Sequence, residues 1–327
     1  MLDALIRPLL LIALVTAAAG PWFVIAVLRP AFGRSGLSTD DLDPIESQVA
    51  RVGMTAAWIA LGASLPELYL QVVDIMGGSI LSGVEAPVVW QLLTRTATGW
   101  VWIGRTAMLA ALLFALGTSR GLGRTAGRSR PWTGIRWWIA LALAAAALAS
   151  RALASHASAL PSGSPTAVAA DALHILAAAS WIGLLINFRL LLSRLRHLET
   201  DTGRPILTPI VNRITPIALA SAATLAATGL YNATRNLDSL QAVIASPYAL
   251  TLLAKLLLLL PVLAAGSLNF LVIRPALKAS QSSEKRPHAD RATLASRLMP
   301  LVEIEVSVGA AILGLAAVLS GVPQRRA

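Results

Sequence analysis

The chain alternates long apolar stretches with short polar ones, and inside the apolar stretches the hydrophobic positions are continuous rather than every second residue. Runs of about 20 residues with at most one or two charges are long enough to cross a hydrocarbon core of roughly 30 Å as helices, and their Ala/Leu content disfavours strands. Eight such spans are read near residues 8–28, 52–73, 96–116, 137–154, 166–188, 210–232, 248–272 and 300–321. They predict an all-α, polytopic integral membrane protein, with residues 1–327 forming a single transmembrane domain. The first span is retained in the folded protein, because it contains Pro21, ends in "LRP" and lacks a small-residue cleavage pattern. The acidic "DDLDPIESQ" predicts a short surface helix starting at Asp43, before Pro44, and "KASQSSEKRPHADRATLASR" predicts a flexible cytoplasmic loop.

Composition supports the pattern: 56% of the 327 residues are hydrophobic and 13% charged. The chain has no cysteine, which excludes disulfides and thiolate metal sites. A net charge of +11 would suit nucleic acid in a soluble protein, but here its placement reads as orientation. Arginines crowd the linkers after spans three, five and seven, including Arg124, Arg128, Arg194, Arg204, Arg286 and Arg291, while residues 74–94 and 152–165 carry no Lys or Arg. The positive-inside rule then puts the basic linkers in the cytoplasm and both termini in the periplasm of a bacterial inner membrane. Anionic membrane lipid is the partner this charge fits, and no nucleic acid is implied. The sequence has no phosphate loop, activated nucleophile or paired catalytic acids, so an enzyme is not expected.

Ionisable groups inside a membrane are costly and mark functional positions by default. With this orientation, Glu67, Gln71, Arg151, His156, Asp171, His174, Asn232 and Lys255 all fall in the outer half, beside a stripe of Ser221, Thr224 and Thr228. Arg105 at mid-depth and Glu303 and Glu305 near the inner end are the exceptions. A polar cavity opening away from the cytoplasm accounts for the majority. In span five, Asp171, His174 and Trp181 share one helical face. A neutral imidazole binds metal through one nitrogen while a carboxylate on the other fixes its tautomer. Asp171 fits that role, and fits equally an ion pair with Arg151 or Lys255; Glu67 fits a buried pair with Arg105 or Lys255.

"SHAS", "DALHILAAASWIGLL", "LAATGLYNATRNLDSLQAVIASPYALTLLAKLLLLLPVLAAGSLNFLVIRPAL" and "VEIEVSVGAAILGLAAVLSGVP" resemble the copper resistance protein D (CopD) family of bacterial inner-membrane proteins. The signature is D-x-x-H-x-x-A-x-x-x-W-x-G with a downstream T-G-x-x-N and Y-x-x-x-L-x-x-K. The resemblance implies an eight-helix fold, copper as the transported ion, and a soluble periplasmic CopC-like copper carrier as partner. It also implies that His156 and His174 are the metal ligands. Asp171, Trp181, Glu67, Asn232 and Lys255 are then candidates for supporting or path-lining roles. Two other readings stay open on the residues alone: His156 and His174 as axial ligands of a b-type haem, and a membrane partner that positions a copper carrier without moving copper.

Overall fold

A computed structural model describes residues 3–76, 85–121, 132–153, 165–202, 206–236, 247–276, 279 and 287–319. Helix α1 runs Asp3–Phe23, passes through a π-helical turn at Val24–Leu28 and ends as Arg29–Ser35, closed by Gly36 with a left-handed φ of 64°. It is followed by α2 (Thr39–Met76), the short α3 (Ala86–Arg95), α4 (Ala97–Gly121) and α5 (Trp132–Leu153). Helix α6 begins as Pro165–Ala178, has a π turn at Ala179–Gly183 and continues as Leu184–Thr202. Helices α7 (Leu207–Asn236), α8 (Pro247–Leu268, then a π turn at Asn269–Ile273) and α9 (Pro287–Leu319) complete the bundle. No strand occurs among the described residues.

The protein is therefore an all-α polytopic membrane protein, with eight helices among the described residues long and apolar enough to cross a bilayer. Each predicted span overlaps one of them, and α3 is an addition. Two linkers differ from expectation. The acidic segment around Asp43 is the opening of α2 itself, because one proline near a helix start removes a single hydrogen bond without ending the helix. The expected loop before the last span is helical from Pro287 onward.

Helix α1 packs against α2, α5, α6 and α9 and forms the axis of the bundle; it and α6 are the most enclosed spans. Small side chains make this possible. In hydrocarbon there is little hydrophobic force between helices, so close van der Waals packing through Ala and Gly replaces it. Ala13, Ala17, Ala18 and Ala19 of α1 are buried, and a Cβ on Gly183 of α6 would overlap the Ala19 methyl. Gly183 lies at the end of the π turn, and its carbonyl accepts a 2.9 Å hydrogen bond from the buried Asn187 amide. A side chain thus occupies a backbone acceptor where the helical ladder is interrupted.

Candidate functional site

Helices α6 and α7 lie against each other at the end of the bundle where the linkers carry little positive charge. Three side-chain pairs tie them as an antiparallel ladder. Thr166 Oγ1 and Tyr231 OH are 3.0 Å apart, the Asn232 amide donates to Asp171 Oδ1 at 2.8 Å, and His174 Nδ1 lies 2.9 Å from Thr228 Oγ1. Gly229 lies beneath the imidazole, with space for a Cβ at 3.6 Å from His174 Cε1. The D-x-x-H string and the T-G-x-x-N string are therefore two sides of one contact. Residues three apart on α6 meet residues four apart on α7, the spacings that place side chains on one helical face.

This contact sets the histidine tautomer. The Thr228 hydroxyl donates to the Thr224 carbonyl at 2.6 Å, so its oxygen is left to accept from the ring. Nδ1 of a neutral His174 then carries the hydrogen, and the basic lone pair resides on Nε2. The orienting acceptor on Nδ1 is thus a threonine hydroxyl, where the sequence suggested the Asp171 carboxylate.

Toward the middle of the bundle, a cleft of about 480 Å³ is lined by Trp22, Ser180, Pro216, Ser221 and Thr224 among others. Trp22 Nε1 donates to Ser180 Oγ at 3.0 Å, joining α1 to α6 there. Pro216 lies within α7 and contributes no backbone N–H. The Ser221/Thr224/Thr228 stripe thus continues from His174 along one side of a mostly apolar cleft.

A second polar cluster joins α2, α4 and α5. Glu67 is 3% exposed and receives Arg105 on Oε2 and Arg151 on Oε1. Two guanidiniums share one carboxylate, leaving a formal charge of +1. Arg105 is 2% exposed and its Nε has no hydrogen-bond partner; neither do Gln71 Oε1 and Thr106 Oγ1 nearby in sequence. Of the two ion-pair partners considered for Asp171, Arg151 is thus bonded to Glu67.

Among the remaining predicted positions, Trp181 is 8% exposed and belongs to the main hydrophobic core. It sits within the π turn, which offsets it from the α-helical face used for the spacing argument. His156 lies outside the described residues, as does the side chain of Lys255, whose backbone is on α8. Among the described residues no three His, Asp or Glu side chains converge as a metal cage. Sequence reasoning did not identify Thr228 as the partner of His174, nor Arg151 as the second partner of Glu67. The T-G-x-x-N string was the available signal for the first; nothing in the spacing of Arg151 signalled the second.

Comparison with known proteins gives two matches. The profile described as copper resistance protein D-like, N-terminal domain, matches residues 1–164, and that described as copper resistance protein D matches residues 208–319. The ladder's α7 side lies inside the second match, and α6 lies between the two. No curated protein and no solved structure matches the chain.

Proposed function

The chain belongs to the copper resistance protein D family, and on that premise we propose that it takes up copper at a His174-centred site and passes it across the bacterial inner membrane. That it is a copper resistance membrane protein follows from the family; the site, the direction and the handoff are the reading offered here. His174 is the entry ligand through Nε2, with His156 as the second ligand from the end of the preceding span. Asp171 and Asn232 hold the α6/α7 contact, and copper descends along the Ser221/Thr224 edge of the cleft. Lys255, Glu67 and Trp181 support this path from outside the copper coordination sphere. The whole chain acts as one transmembrane unit, since a single core cluster draws residues from Leu10 to Leu313.

The basic linkers support an orientation with the site and both termini facing the periplasm. A soluble CopC-like carrier is the matching source of copper there, and imidazole suits copper better than the hydroxyls below it. The observation that carries the proposal is the Thr224–Thr228–His174 chain, which favours the imidazole tautomer with its basic lone pair on Nε2. No catalytic step is assigned.

The test is copper accumulation in cells expressing equal amounts of wild-type and His174→Ala protein, alongside copper titration of both in detergent. Loss of accumulation and of one binding event is expected in the variant. Equal uptake and equal stoichiometry would overturn the site, and a Soret band in the wild-type protein would replace it with haem.

A further inference from the structure

Helix α9 carries Glu303 and Glu305, two residues apart, which a helix turns to opposite sides by about 200°. Glu303 is on the exposed side and pairs with Arg189 of α6. Glu305 is on the buried side, 3% exposed. Glu305 lies within the stretch Ser296–Ala316 of α9, which is long and apolar enough to cross a membrane. Among the described residues its Oε1 has no hydrogen-bond partner, and it lies 3.8 Å from the place a Cβ on Gly266 of α8 would occupy. One turn along the same face of α8, Asn269 Oδ1 is likewise buried without a partner.

Helices α1, α6 and α8 pack against α9. Among the described side chains, their charged groups are committed elsewhere or lie toward helix ends: Arg29 to Glu46, Arg189 to Glu303, Arg274 to Asn212, Asp171 and His174 in the α7 ladder, Arg7 and Arg34 at the two ends of α1, and Arg194, Arg196, His197, Glu199 and Asp201 in the last turns of α6; the side chain of Lys255 on α8 lies outside the described residues. None of these forms an ion pair with Glu305. Each orphan atom is an acceptor, so what the Glu305 carboxylate lacks is a donor. An ionised carboxylate without a donor is strongly disfavoured here. A single proton removes the charge and supplies the missing donor at once.

We propose that Glu305 is a proton-binding site inside the membrane, and that proton movement through it is coupled to copper passage. The coupling half rests on the copper-transport reading; the proton half does not. The step is Glu305–COOH ⇌ Glu305–COO⁻ + H⁺, in which only an O–H bond forms or breaks and no redox partner is needed.

The infrared difference spectrum of wild type against Glu305→Gln tests the proton without copper. A protonated-carboxyl stretch at neutral pH, present in wild type and absent in the variant, is expected. An ionised-carboxylate signal there, or one that follows sodium rather than pH, would overturn the proposal. In liposomes enclosing a pH dye, copper addition should drive proton flux in wild type and at most a tenth of it in Glu305→Gln. Copper affinity should stay within twofold in that variant. Undiminished proton flux in Glu305→Gln would overturn the coupling. Absence of copper binding by wild type would overturn the transport reading and leave the infrared result standing.

Discussion

Neutralising Glu67 should unfold the protein far more readily than removing either arginine it serves. The buried cluster carries +1 with Glu67 present, +2 in Glu67→Gln and zero in Arg105→Met. Breaking a buried ionic group by deleting the shared partner leaves uncompensated charge and typically costs about 3–5 kcal/mol. Arg105→Met takes away a cation that is 2% exposed and whose Nε is unsatisfied, and leaves a neutral Glu67–Arg151 pair in its place. Because the pair that remains is charge-neutral, no uncompensated buried charge is created, and a change within about 1 kcal/mol of wild type is expected. The assay is unfolding of purified variants in detergent, followed by tryptophan fluorescence, with helicity monitored in parallel. The double variant Glu67→Gln/Arg105→Met, at net +1, should fall between the singles. Equal destabilisation by Arg105→Met and Glu67→Gln would show that hydrogen-bond geometry, and not net buried charge, governs the cluster.

Thr228→Val keeps the branched shape but removes the acceptor on His174 Nδ1, and copper affinity in a competition titration should fall by about tenfold, the lower edge for loss of a ligand-orienting partner. Thr228→Ser should retain most of the affinity, and equal affinities in Thr228→Val and wild type would refute the tautomer argument. Gly183→Ala should destabilise the bundle by about 1–3 kcal/mol through overlap with Ala19, measured as a lowered unfolding midpoint. The pair Gly183→Ala/Ala19→Gly should recover most of that loss in a double-mutant cycle.

The spans were legible because lipid imposes one rule on every crossing helix: its backbone must satisfy itself over about 20 apolar residues. That rule locates Ala97–Gly117 or Ser296–Ala316 within a few positions. It says nothing about α3, whose ten residues are too short to span, or about the π turns, which change no composition. The same limit governs the site. Asp171, His174, Thr228 and Asn232 each stood out as polar residues in an apolar setting. Which face of α7 meets α6, and hence that the four form one ladder, is a matter of tertiary packing. Glu67 was recognised as needing a cation, but that Arg151 approaches it from α5 depends on how α2 and α5 sit together in space.

The π turn of α6 has a consequence for how this helix tolerates change. One extra residue there turns everything after it by about 100° relative to an unbroken α-helix. Above the turn α6 must show Asp171 and His174 to α7; below it, Arg189 must meet Glu303 on α9. The two halves meet these partners with a phase offset of that one residue. Removing any single residue from Ala179–Gly183 would restore a regular helix and swing one of these faces away from its partner, whichever side chain was lost. Along this stretch residue number is constrained more tightly than residue identity, and single deletions are expected to be harsher than conservative substitutions.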